Sequence, residues 1–167
     1  MQTKTLHIVR HGKALQGAYS IEDFDRPLTE GGIVNSIAVA RRFAAQHVAP
    51  DLITTSHAAR AMHTAHIFAR ETNYSQDCLH VDENLYFQGY KVIYSALTEL
   101  PESIDSIMIV GHNPDLTNLA NKLGARINQI STSGVVTICF DTDYWSKIDT
   151  ASKNFSFLDK KDDGDKQ

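Results

Sequence analysis

The chain has 167 residues, of which 42% are hydrophobic and 22% charged, the balance of one globular domain long enough to bury a sizeable core. Its net charge of −4 argues against bulk attraction to nucleic acid or to an anionic membrane, so any affinity for phosphate must come from a local cationic pocket. No run approaches the length of a membrane-spanning helix and no charged and apolar leader precedes the first apolar run, which points to a cytoplasmic protein.

Residues 4–9 read as a strand that ends abruptly in Arg10-His11-Gly12. The following loop is polar, with Gly12, Gly17 and Pro27, and Thr29 can cap a helix in which Ile33, Ile37, Ala40 and Ala44 recur at helical spacing. Residues 51–55 form a second strand, and Ser56-His57-Ala58-Ala59-Arg60 leads into a helix over 58–71 with Ala61, Ala65 and Phe68 on one face. A short strand near 78–81, a helix over 90–100, a strand over 106–110 closed by Gly111-His112, and a helix over 115–123 follow. Asn113 can cap that last helix and Pro114 can take its first position, turning its positive end toward an anion.

Beyond it the pattern changes. Residues 134–140 and 154–158 read as a hairpin that leaves one antiparallel strand at the sheet edge. The whole predicts an α/β three-layer sandwich, a mostly parallel central sheet flanked by helices. The domain spans 1–158, and 159–167 form a charged tail with too little apolar content to pack. Cys78 and Cys139 are isolated and read as buried free thiols. Glu83-Asn84-Leu85-Tyr86-Phe87-Gln88-Gly89 matches the recognition sequence of a viral protease used to remove purification tags, but its position inside the chain marks it as native.

Three strand ends therefore carry one chemistry: Arg10-His11-Gly12, Ser56 with Arg60-Ala61, and Gly111-His112. In open α/β sheets ligands bind at the carboxyl ends of strands. With Arg26-Pro27-Leu28-Thr29 added, the chain resembles the histidine phosphatase superfamily, and within it the SixA-type phosphohistidine phosphatases, from about Lys4 to Phe157. The resemblance implies a phosphoglycerate mutase-like fold in which the first His becomes phosphorylated while two Arg and a second His hold the phosphoryl group. His11 is then the nucleophile, a role that suits neutral imidazole near neutral pH. Arg10 and Arg60 supply planar forks matched to phosphate oxygens, and His112 donates to one of them, its pKa rising when the dianion binds.

Other residues carry two readings each. Arg26 either borders the phosphate pocket or pairs with Asp23 or Asp25 at the surface, and Ser56 either caps the helix after it or touches ligand. The Asn113 backbone N–H is a further donor. Glu83 is the candidate general acid, although SixA-like members lack a dedicated one there and a phosphohistidine substrate, which loses imidazole, demands less of an acid. His57, His63 and His66 read as solvated or packing histidines, with no metal and no cofactor required. The reading is a metal-independent phosphatase with a covalent phosphohistidine intermediate, acting on a phosphohistidine-containing protein. The alternatives are a small-molecule phosphomonoesterase of the sugar-phosphate type and a catalytically silent phospho-ligand binding module. The short segments 13–25 and 78–90 imply no large cap, which leaves room for a protruding phosphorylated side chain.

Overall fold

The computed structural model describes residues 3–17 and 20–160. Six strands, β1 (Lys4–Arg10), β2 (Leu52–Thr55), β3 (His80–Val81), β4 (Ser106–Gly111), β5 (Val135–Phe140) and β6 (Lys153–Leu158), form one sheet in the order β3-β2-β4-β1-β5-β6. β1, β2, β3 and β4 are parallel to one another, β5 runs against β1, and β6 pairs antiparallel with β5 at the edge. The hairpin at the sheet edge is present as expected; within it β5 carries the reversed direction and β6 is outermost. Of the proposed tail 159–167, residues 161–167 lie outside the described residues. Asp159 is held by the Ser131 hydroxyl and by Arg42, which donates to its carbonyl.

Helices α1 (Glu30–Gln46) and α2 (Ala59–Glu71) cover one face, and α3 (Tyr90–Thr98) and α4 (Asp115–Lys122) the other. The period of two along a strand divides β1 between the layers: Leu6 and Ile8 join Ile107, Ile109, Leu116 and Leu119, while Val9 joins Ile53, Met108, Val110 and Phe43. Thr29 caps α1 as expected, its Oγ1 accepting from the Gly32 N–H at 2.9 Å.

Of the stripe Ile33, Ile37, Ala40 and Ala44, Ala40 is buried and the other three are partly buried, Ile33 and Ile37 against the core; Gly32, Ser36, Val39 and Phe43 complete the buried face of α1. The closest approach is at the small residues. A Cβ on Gly32 would lie 2.2 Å from the Lys13 carbonyl oxygen, and one on Gly12 would lie 2.5 Å from Ser36 Oγ. Small residues let α1 close onto the backbone that follows β1, so the chain behind His11 is clamped. Both cysteines are free, but Cys78 is exposed and Cys139 half-buried; β3 begins only at His80, which leaves Cys78 in the preceding turn.

The sheet buries one imidazole far from that strand end. His7 is 3% exposed, its Nδ1 is 2.8 Å from Thr137 Oγ1, and its ring lies against Phe43 and His47. Burial, reinforced by His47, lowers its pKa to about 3. The unfolded chain therefore binds a proton that the folded chain refuses between about pH 6.5 and 3, and folding stability is complete above that window and falls as pH falls through it. Urea unfolding at pH 7 and pH 4.5 is expected to show this loss, and His7→Gln to lessen it; an unchanged difference in the variant would assign the acid sensitivity elsewhere.

Candidate active site

The parallel register sets Arg10 beside Gly111, so the next residues, His11 and His112, leave adjacent strands at the same level with ring centroids 5.1 Å apart. Ser56 follows β2, its N–H bonded to the Val110 carbonyl. The first turn of α2 adds Arg60, whose side chain is 2% exposed. The structure thus brings His11, Arg10, Arg60, His112 and Ser56 to the carboxyl ends of three neighbouring strands.

His11 Nδ1 lies 2.7 Å from the Gly12 carbonyl oxygen. An acceptor there holds the proton on Nδ1 and leaves the Nε2 lone pair free to attack. Burial lowers the His11 pKa to about 4, the Gly12 carbonyl opposing and Arg60, Arg10 and Arg26 adding to the shift. The ring is therefore neutral at pH 7. The Gly12 N–H in turn donates to Thr64 Oγ1 at 3.0 Å, tying the loop to α2.

His112 is buried, with Nε2 2.8 Å from Ser56 Oγ. Ser56 Oγ also accepts from the Ala58 N–H; when its own hydrogen goes to His112 Nε2, the His112 proton sits on Nδ1. Burial, with His11 and Arg60, lowers the His112 pKa to about 3 in the free chain. Ser56 is thus neither the N-cap of α2, which Ala58 occupies without a side-chain bond, nor an open ligand contact; it orients His112.

Asp23, which the sequence reading mentioned only as a surface partner for Arg26, joins the cluster. Its Oδ1 receives Arg26 Nε at 3.0 Å and an Arg26 terminal nitrogen at 2.8 Å, and its Oδ2 receives Arg60 at 3.1 Å and the Tyr86 hydroxyl at 2.6 Å. Arg60 also donates to the Asp23 carbonyl at 2.7 Å. The Tyr86 hydroxyl, Arg26 and Arg60 hold the Asp23 carboxyl far below the usual carboxylate range. Arg26 therefore pairs with Asp23, as one of its two readings expects, and through that carboxylate sits beside Arg60, while it also donates to the Leu15 carbonyl. An Asp three residues before an Arg was visible in sequence; the bridge to Arg60 was not.

The Asn113 side chain is spent within the fold, donating to the Ile130 carbonyl at 2.8 Å and accepting from Thr117 N–H and Oγ1. Its Oδ1 does reach the first turn of α4, but the N-cap is Pro114 rather than Asn113, and the helix begins at Asp115, so each expected position is shifted by one. Glu83 is exposed in the turn after β3, and among the described residues its carboxylate makes no hydrogen bond or ion pair with His11, Arg10, Arg60 or His112. That turn delivers Tyr86 instead, whose ring lies 5.2 Å from His112, with Phe87 at 4.8 Å. Phe87 adopts a left-handed φ of 54°, a strain that a bulky residue accepts only where its surroundings fix it. The protease-like segment is thus folded into a tight turn, with Leu85 3% exposed.

Four buried side-chain nitrogens have no hydrogen-bond partner among the described residues: Arg10 Nε, Arg60 Nε, His112 Nδ1 and His57 Nδ1. Native interiors rarely leave such groups unpaired, and Arg10, Arg60 and His112 stand together at the carboxyl ends of neighbouring strands. Among the described residues no group of at least three His, Cys, Asp or Glu side chains is arranged to hold a metal ion, and no helix is long and apolar enough to cross a membrane.

The sequence model of the histidine phosphatase superfamily, branch 1, matches residues 6–86. A comparison with curated protein sequences finds no match. Among solved structures, a candidate phosphohistidine phosphatase SixA from Agrobacterium tumefaciens is 26% identical, with 93% of this chain and 97% of that chain covered at a TM-score of 0.78. A candidate SixA from Nakamurella multipartitia is 20% identical, with 96% and 98% covered at a TM-score of 0.81. The protein histidine phosphatase SixA in complex with tungstate is 24% identical, with 92% and 94% covered at a TM-score of 0.74. Residues 6–86 thus match the superfamily's sequence model, and nearly the whole chain shares the fold of these solved SixA structures.

Proposed function

We propose that the protein is a metal-independent phosphohistidine phosphatase that works through a phosphorylated His11. The observation that carries this reading is the set of unpartnered buried nitrogens of Arg10, Arg60 and His112 beside a neutral imidazole whose Nε2 is bare. Phosphoryl transfer asks mainly for positioning and for charge stabilisation on the equatorial oxygens. The arginines provide fixed donors, and His112 provides an N–H from Nδ1 that does not require a net charge. His11 Nε2 attacks phosphorus in line and the substrate's imidazole leaves. Because Gly12 holds the Nδ1 proton, the phosphorylated ring is cationic, which makes it a good leaving group when water attacks. Beside the site stand Asp23 and Arg26, from the loop tied at its base by the Ala14–Leu28 bridge, and the turn bearing Tyr86, which leaves room for a protruding side chain on a protein surface to reach His11.

Single-turnover reaction with a phosphohistidine protein and, side by side, with an alkyl sugar phosphate tests the substrate. Rapid loss of the phosphohistidine with the sugar phosphate left intact is the expected result. Preference for the alkyl ester would overturn the substrate and turn attention to Glu83 as the acid; turnover of neither would overturn the enzyme reading.

A further inference from the structure

The His11 ring is held by the backbone, and that stretch of backbone is held in turn by a side chain of α2. Nδ1 of His11 donates to the Gly12 carbonyl at 2.7 Å, and because a carbonyl oxygen only accepts, this contact decides which ring nitrogen is bare. Gly12 has no Cβ, and a peptide next to glycine turns over at little steric cost. The direction of its carbonyl therefore depends on anchors on either side. Downstream, the Lys13 carbonyl receives the Thr29 N–H at 2.9 Å. Upstream, the peptide joining His11 to Gly12 is pinned at both ends: its carbonyl receives the Ser133 N–H at 3.2 Å, and its N–H donates to Thr64 Oγ1 at 3.0 Å.

Thr64 lies one turn beyond Arg60 on α2 and is fully buried. Its hydroxyl has a single hydrogen, which goes to the Arg60 carbonyl at 2.8 Å, so toward Gly12 the oxygen is an acceptor and the contact has a fixed direction. Resting on the phosphatase reading, we infer that Thr64 is the positioning residue that keeps His11 in its reactive tautomer. The path is short: Thr64 Oγ1 to the Gly12 N–H, the Gly12 carbonyl to His11 Nδ1, and Nε2, the attacking atom, across the same ring. Without the hydroxyl a buried N–H is left unpaired, a cost the loop relieves by turning the Gly12 backbone and withdrawing the carbonyl from Nδ1. The ring proton then also settles on Nε2, where it occupies the lone pair that must bond to phosphorus. A ring protonated there cannot attack. Thr64 acts on attack alone, because the nitrogens that hold the phosphoryl group belong to Arg10, Arg60 and His112 and not to the Gly12 turn.

The test compares wild type, Thr64→Val and Thr64→Ser. Nitrogen NMR of ring-labelled histidine at neutral pH, with His11 assigned by its loss in His11→Ala, is expected to show a single tautomer with the proton on Nδ1 in the wild type and in Thr64→Ser, and a mixture in Thr64→Val. Single-turnover phosphorylation of His11 by a phosphohistidine protein is expected to slow about 10²-fold in Thr64→Val, the scale of a misplaced nucleophile. Thr64→Ser, which keeps the hydroxyl, is expected to restore most of the rate. Tungstate, an oxyanion that needs no nucleophile, is expected to bind all three proteins within about threefold. An unchanged tautomer in Thr64→Val, a serine variant as slow as the valine variant, or tungstate affinity lost in step with the rate would overturn the assignment. Circular dichroism checks the fold of each variant; should Thr64→Val lose it, Thr64→Ala is read by the same three measurements. A wild type that never takes phosphate on His11 would instead bring down the phosphatase reading, whereas the tautomer spectra need no turnover and decide the role of Thr64 on their own.

Discussion

His11→Ala is expected to lower turnover of a phosphohistidine protein by about 10⁴-fold or more, because without Nε2 the covalent path is lost and only binding and charge stabilisation remain. Quenching into alkaline detergent, in which the P–N bond survives, after mixing with labelled substrate should trap phosphoprotein in the wild type and none in the variant. Turnover within tenfold of wild type would mean that water attacks the substrate directly. The same nucleophile sets a pH dependence. Protonation of His11 blocks attack, and burial with the nearby arginines has moved that event down to about pH 4. Corrected for the substrate's own ionisation, the acid limb of kcat/KM is expected near pH 4 rather than near the ordinary imidazole value, since this ratio reports the free enzyme. A bound dianion favours the charged ring, so the limb in kcat should lie higher. A kcat/KM limb at pH 6.5 would place another group in control.

Arg60→Lys is expected to reduce kcat/KM by about 10²-fold on phosphate esters and phosphohistidine alike, the scale of one lost oriented donor. Lysine keeps the charge but loses the fork. Arg60 donates at once to the carbonyl and to the carboxylate of Asp23 and still has Nε unpartnered, three directions fixed by one plane. A flexible ammonium cannot reproduce them. Arg60→Ala should in addition loosen the loop that carries Asp23, visible as faster amide exchange at residues 23–26. A lysine variant with activity within threefold would show that charge alone is sufficient.

Much of this site was legible because strand ends are legible. Apolar runs closing in Arg10-His11, Ser56 and Gly111-His112 announce where three side chains must lie once the sheet is parallel, and the parallel sheet follows from the alternation of strands and helices. What could not be read depends on contacts between segments distant in sequence. Asp23 and Arg60 are separated by 37 positions, and nothing local shows that one carboxylate joins Arg26, Arg60 and Tyr86. The sequence reads His57, with His63 and His66, as a solvated or packing residue, and His57 does pack, on Phe24 and Tyr86, which arrive from two other loops. On α1 periodicity follows the apolar residues, of which Ala40 is buried and Ile33 and Ile37 pack on the core, but it does not show the closest approach, made by Gly32 and Ser36. Glu83 was drawn in by its place after the third strand, but the turn there presents Tyr86 to the cluster.

β6 has a second meaning for the life of the chain. It covers the hydrogen-bonding edge of β5, a strand of Val135, Val136, Ile138, Cys139 and Phe140 that is buried along nearly its whole length. β6 itself shows solvent a mixed row in which Lys153, Asn154 and Ser156 interrupt Phe155 and Phe157, the kind of edge that discourages foreign strands from adding on. Should the last strand peel away, through truncation or during synthesis before it emerges, an apolar segment of high β-propensity becomes a template for self-association. Solubility of the molecule therefore depends on β6 staying paired with β5.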